Sequence, residues 1–260
     1  MLVLASDFDG TLKQNGIVSD EDIQAILQFQ AAGNQFGIIT GRSVGMIRGE
    51  LEEFKVPFDF LICNNGAVIA DQNYCMVQRI DPDFEDAKEL VEELIQDEDL
   101  LVGVSDGDRF GTIQQGNIQF KKGQISKKVR RVPTDWQLLY KKDVLNSVYM
   151  RHQDVDKAWQ LCQYLTKKYE GKLNFHFNHG AIDVTVAGIN KKTGIELLEK
   201  MLNNPVAVIG DGHNDLPMIE AFNGYSMTAA PEDVKAKASK VFDTVGDCLM
   251  DMMKKDGTSC

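Results

Sequence analysis

The chain has 260 residues, 43% of them hydrophobic and 26% charged, enough to bury one large core or two modest ones. Its formal net charge of −11 argues against a nucleic acid or a membrane surface as partner, because either would need a basic face. Five widely spaced cysteines, with no C-x-x-C pair, argue against a disulfide frame or a zinc site and read as reduced thiols.

Leu2 to Ser6 is a near-continuous apolar run, the pattern of a strand covered on both faces. A strand starting there leaves no room for a leader peptide. No apolar run approaches the ~18 residues of a membrane span. A cytoplasmic protein is expected. The run ends in Asp7-Phe8-Asp9-Gly10-Thr11. Two carboxylates one residue apart at a buried strand end are costly unless something positive sits between them. Mg2+ is the natural choice, a hard cation that prefers oxygen ligands, waters and phosphates.

Ser19 reads as a helix N-cap with Asp22 three residues on, and Ile23, Ile26, Leu27 and Gln30 mark one face. Gly33 is a helix stop. Phe36 to Ile39 is a second buried strand, ending in Thr40-Gly41-Arg42. A helix through Met46, Ile47, Leu51 and Phe54 leads to a third strand, Phe60 to Cys63, closed by Asn64-Asn65-Gly66. Cys63 reads as a small core residue. Strand and helix alternating at this spacing predict a parallel sheet with helices on both faces.

The middle of the chain reads differently. Asp81-Pro82 starts an acidic helix with Phe84, Ala87, Leu90, Val91, Leu94 and Ile95 inward. Strands follow around Leu101 to Val104 and Ser147 to Met150, then a helix with Trp159, Cys162 and Leu165. Leu173 to Phe177 and Ile182 to Val186 flank Asn178-His179-Gly180 as a hairpin. Alternation returns with a helix from about Lys192 to Leu202 and the strand Val206 to Ile209. The expected fold class is α/β: a Rossmann-like parallel-sheet core of residues 1–80 and 187–260, with an inserted α+β cap domain of residues 81–186.

Three apolar strands thus end in a polar group: Asp7, Thr40 and Asp211. Open parallel sheets bind ligands at the carboxyl ends of their strands. In residue type, order and spacing the chain resembles the haloacid dehalogenase (HAD) superfamily. Asp7-Phe8-Asp9-Gly10-Thr11 resembles its first motif and Ile38 to Arg42 its second. Asn190-Lys191-Lys192-Thr193-Gly194-Ile195 resembles the third, and Ile209 to Asp215 the fourth. The Asn64-Asn65-Gly66-Ala67 segment and the large insert resemble the Cof-like subgroup, with its type IIB cap.

That resemblance implies a Mg2+-dependent phosphatase. Asp7 would be the nucleophile, forming an aspartyl-phosphate, and Asp9 the acid and then the base. Thr40 would hold the phosphoryl group, and Lys191, preferred over Lys192 by its offset from Gly194 and Ile195, would neutralise nucleophile and phosphate. The implied metal ligands are Asp7, the Asp9 backbone carbonyl, Asp211 and Asp215. Thr11 and Gly41 would help bind phosphoryl oxygens, and Asn65 and Asn214 would contact substrate. Arg42 either binds substrate or makes a structural ion pair. His213 receives no role. The expected partner is a small phosphorylated metabolite, a sugar phosphate above all, with the protein a monomer or small homo-oligomer. His176, His179 and Asp183, near the hairpin, are candidates to meet the leaving group. The alternatives are a phosphomutase of the same superfamily and a non-catalytic phosphometabolite-binding protein.

Overall fold

A computed structural model describes residues 1–119, 135–140, 143–178 and 180–257. The chain opens with β1 (Val3–Asp7), α1 (Asp20–Ala31), β2 (Gln35–Ile39), α2 (Val44–Phe54), β3 (Phe60–Cys63), β4 (Val68–Asp71) and β5 (Met76–Arg79). It continues through α3 (Phe84–Leu94), β6 (Leu101–Ser105), β7 (Phe110–Gln114), α4 (Trp136–Tyr140), β8 (Ser147–Arg151), α5 (Val155–Lys168), β9 (Leu173–Asn178) and β10 (Ala181–Val186). The last stretch is α6 (Lys191–Leu202), β11 (Ala207–Gly210), α7 (Leu216–Ala221), β12 (Tyr225–Met227), α8 (Glu232–Lys235), β13 (Lys240–Phe242) and α9 (Val245–Lys255).

Two sheets result. The first runs β13-β12-β11-β1-β2-β3-β4-β5. It is parallel from β13 to β3 and antiparallel across β4 and β5. β1 lies between β11 and β2 with every residue buried, which explains its unbroken apolar run. The second sheet, β7-β6-β8-β10-β9, is antiparallel throughout.

Alternation assigns the two faces of the second sheet. Val102, Val104, Val148, Met150, Ile182 and Val184 join one apolar cluster with α3 and α5. The opposite face carries Ser105, Ser147, Tyr149, Arg151, Ala181 and Asp183. It looks onto the carboxyl ends of β1, β2 and β11 across a cavity of about 710 Å³. Asn146 ties the sheets together: its side chain accepts from Asn64 Nδ2 and donates to Ile80 O and Asp81 Oδ1, both at 2.9 Å. At the start of α2, the Val44 and Gly45 amides donate to the carbonyls of Gly107 and Asp108 at 2.9 and 2.8 Å.

Several local expectations shift. Ser19 does cap α1, but the buried face is Asp22, Ala25, Ile26 and Phe29. Leu27 is exposed, because α1 packs on α9 and Asp22 accepts the Gly246 amide at 2.7 Å. The acidic helix starts at Phe84, not at Asp81: Asp83 caps it, while Asp81 pairs with Arg79 at 2.9 Å. Trp159 lies outside α5's buried face, with its ring edge-on to Phe177. Strands β4, β5, β7, β12 and β13 add pairings that the sequence patterns did not bring out. His179 lies outside the described residues.

Candidate active site

β1 delivers Asp7 to the sheet's carboxyl edge, and the chain then turns sharply at Gly10. Its φ of +98° suits glycine, and a Cβ there would come within 2.3 Å of Asp211 Oδ2. This close approach brings the loop after β1 against the loop after β11. Thr11 donates its hydroxyl to Asp211 Oδ1 at 2.6 Å. That bond orients Asp211, and Thr11 is not among the residues that line the cavity.

Asp7, Asp211 and Asp215 each offer an oxygen within 4.8 Å of the others. Asp215 is steadied by the Asp211 and Gly212 amides, at 3.1 and 2.9 Å to its Oδ2. Lys191 Nζ reaches Asp7 Oδ1 and Asp215 Oδ1, each at 2.5 Å. Lys191 begins α6, where Asn190 and Thr193 cap each other's backbone, so the lysine leaves the helix start in a fixed direction. The adjacent Lys192 is at the surface, 3.5 Å from Glu196.

Burial raises the Asp7 carboxyl well above its ordinary value; Asp215 and Asp211 add to this and Lys191 opposes it. Asp211 is raised too, first by burial, with Thr11 pulling it down and Asp215 up. For Lys191, burial is outweighed by Asp215 and Asp7, which hold it charged. Three crowded carboxylates against one ammonium leave an excess of negative charge. The donors are all oxygens, with no His or Cys among them, and so fit a hard divalent cation such as Mg2+.

Asp9 stands apart from that cluster. Its carboxylate turns to Arg42, whose Nε and Nη2 donate to it. Any Asp9 ligand to a metal would therefore be its backbone carbonyl. Arg42 also reaches buried Glu50 at 3.3 Å, and Lys13 holds Glu50 from the other side at 2.7 Å. Glu50 was not anticipated: on a helical sequence a lone Glu reads as surface, and only the tertiary neighbours Lys13 and Arg42 explain its burial.

Thr40, Gly41, Arg42 and Asn214 line the cavity. Asn65 does not. It is fully buried at a φ of 50°, with its Nδ2 3.3 Å from Asp183 Oδ2. A Cβ on Gly41 would lie 2.4 Å from Asp183 Oδ2, so glycine is what lets β10 descend onto the strand ends. Asp183 is pushed up to about 6, first by burial, with Asn65 opposing. His176 turns instead to Thr185 Oγ1 at 2.9 Å, and burial lowers it to about 4. His213 is an exposed partner of Asp233 at 2.8 Å.

Residues 4–247 match the profile of the haloacid dehalogenase-like hydrolases. The chain belongs to that family. It is 25% identical over 251 residues to a Bacillus subtilis protein named 5-amino-6-(5-phospho-D-ribitylamino)uracil phosphatase, covering 93% of this chain and 90% of the relative. A solved HAD-like hydrolase from B. subtilis superposes with a TM-score of 0.80 at 23% identity, over 98% of this chain and 99% of the other. A structure from Bacteroides thetaiotaomicron, described among phosphatases of the HAD superfamily, gives 0.73 at 25% identity, over 100% of this chain and 96% of that one. Within the family fold, Asp7, Asp211, Asp215 and Lys191 converge at the carboxyl ends of β1 and β11 and the start of α6. No helix among the described residues is long and apolar enough to cross a membrane.

Proposed function

We propose that this HAD-like hydrolase is a Mg2+-dependent phosphomonoesterase acting on a small phosphorylated metabolite, a sugar phosphate in particular, through an aspartyl-phosphate on Asp7. The observation that carries the reading is the contact of Asp7 with Lys191 beside two further carboxylates, at the floor of a roofed cavity. A pure binding site for a phosphate has no use for a carboxylate at that place, since it repels the ligand.

Asp7 attacks phosphorus in line with the leaving oxygen. Lys191 offsets the charge of the nucleophile and the arriving phosphoryl group. Thr40 and the amides near Phe8 and Gly41 hold phosphoryl oxygens. Asp9 gives a proton to the leaving oxygen and then takes one from the water that opens the aspartyl-phosphate. Asp7, Asp211, Asp215 and the Asp9 carbonyl would hold Mg2+, which supplies charge neutralisation between nucleophile and phosphate. Residues 81–186 act as the cap over a core of 1–80 and 187–260. The roof keeps unpositioned water from the acyl phosphate and limits access to small molecules.

The test is phosphate release from a panel of phosphoesters, with rapid-quench trapping of phosphate on Asp7. Asp7→Asn should keep the fold and lose turnover. A verified Asp7→Asn protein working near the parent rate would overturn the nucleophile assignment.

A further inference from the structure

On the roof of the cavity, β8 presents Ser147, Tyr149 and Arg151 in alternation. Arg151 differs from the other cations near the site. Lys191, Arg42 and Lys13 each have a carboxylate within reach. Arg151 lines the cavity with no ion-pair partner among the described residues. Its cross-strand neighbours are Leu101 on β6 and Ala181 on β10, one apolar and one small. Undescribed stretches cannot supply an acidic side chain either, because residues 120–134, 141–142, 179 and 258–260 contain no Asp or Glu. Partial burial lowers the pKa of its guanidinium. A half-buried cation without a counter-charge is unfavourable, and a bound anion removes that cost.

Register places Arg151 relative to the reaction centre. Tyr149 pairs with Asp183, which descends to Gly41 beside Thr40. Arg151 is two residues further along β8, away from the Asn146 junction, or about 7 Å at the rise of a strand. The phosphoryl group held by Asp7, Lys191 and Thr40 is thus not the group that Arg151 meets. Between the two positions the wall is the Tyr149 ring, laid across Gly103, where a Cβ would lie 2.1 Å from its Cζ. Asn178 and Gln115, which also line the cavity, add neutral hydrogen-bonding capacity.

We propose that Arg151 is a substrate-binding residue for a second anionic group, a carboxylate or a second phosphate, at the end of the leaving group remote from the scissile phosphate. This rests on the phosphatase reading and narrows it, from sugar phosphates at large to phosphorylated sugar acids or bisphosphates. The planar guanidinium binds either oxyanion through paired N–H groups, which a neutral polyol end cannot match.

The experiment compares matched substrates. One pair is 4-phosphoerythronate against erythritol 4-phosphate, which tests a carboxylate. The other is fructose 1,6-bisphosphate against fructose 6-phosphate, which tests a second phosphate. In the parent protein, at least one doubly anionic compound should exceed its partner in kcat/KM by tenfold or more. Arg151→Met should bring that ratio close to one, and Arg151→Lys should leave an intermediate ratio. A merely structural role would lower both members of a pair together and leave the ratio intact. Ratios at or below one for both pairs in the parent, or a ratio unchanged in both variants, overturn the proposal. The same ratios measured as Kd on Asp7→Asn protein by calorimetry need no turnover. If the parent hydrolyses neither these four compounds nor any other phosphoester of the panel, the phosphatase reading falls, and the Kd ratios with and without Arg151→Met decide the anion site alone.

Discussion

Arg42 grips Asp9 with two hydrogen bonds, Nε to Oδ2 at 2.7 Å and Nη2 to Oδ1 at 2.8 Å. Partial desolvation inside the cavity pushes the Asp9 carboxyl up, although its side chain keeps 45% exposure, but the Arg42 charge and these bonds outweigh it and hold the group below its ordinary value. A carboxylate held this way accepts a proton poorly, and so cannot serve as an acid until the pair parts.

Arg42→Met should therefore raise the Asp9 pKa, since it removes the charge and the hydrogen bonds that hold it down. The alkaline limb of kcat/KM for an alkyl phosphate should move upward with it, even as the absolute rate falls. Asp9→Ala should cost about 10²–10⁴-fold on alkyl phosphates, and less on an aryl phosphate whose leaving group needs little protonation. A pH profile over the alkaline limb checks the first expectation. Equal losses on both substrate types would remove Asp9 from the acid role.

Lys191→Met should cost about 10²–10³-fold in kcat, the scale of losing one electrostatic stabiliser in an enclosed site. Lys192→Ala should stay within a few-fold of the parent, because that side chain is exposed and only loosely paired with Glu196. Steady-state kinetics on one substrate ranks the two, and the reverse order would count against Lys191.

Chelator should abolish activity and Mg2+ should restore it, with Zn2+ a poor substitute for an all-oxygen set. Mg2+ should also raise the melting temperature, since a ligand at 100 times its Kd stabilises by about 2.7 kcal/mol. Asp211→Asn should blunt that thermal shift. A parent melting curve insensitive to Mg2+ in the millimolar range would speak against the site.

Asp183 gives a prediction for stability. Burial first, and Asp9 in part, raise its folded pKa to about 6, while Asn65, Lys191 and Arg42 act the other way. The unfolded value is about 3.9. Between these values the folded state binds more protons than the unfolded state, so stability falls as pH rises from about 4 to about 6 and levels off above. Asp183→Asn should remove this contribution. The difference in melting temperature, variant minus parent, should grow across that window and then stay constant. A difference independent of pH would show that Asp183 titrates normally.

The parallel core was legible because β1, β2, β3 and β11 are buried on both faces and so leave unbroken apolar runs. Asp7, Thr40 and Asp211 stood out because each interrupts such a run at its end. The short strands β12 and β13, of three residues each, carry too few positions to show a period. β5 is wholly exposed, so its residues are under little pressure to be apolar. The α1 face was misjudged because Leu27 is the larger aliphatic, whereas docking on α9 buries Asp22 and Phe29.

By itself, then, the sequence determined the alternation of the buried core strands with their helices, the polar strand ends and the acidic donor set, since those follow from local composition and spacing. Only the tertiary structure decided where each side chain is directed. It turned Thr11 to Asp211, Asp9 to Arg42 and Asn65 to Asp183, and it left Arg151 without a carboxylate partner among the described residues. The physical reason is that a charge or hydroxyl is satisfied by whatever lies within about 3 Å in space. In this chain those partners are brought together by strand register and by glycines at close approaches, and most are 30 to 200 positions apart in sequence.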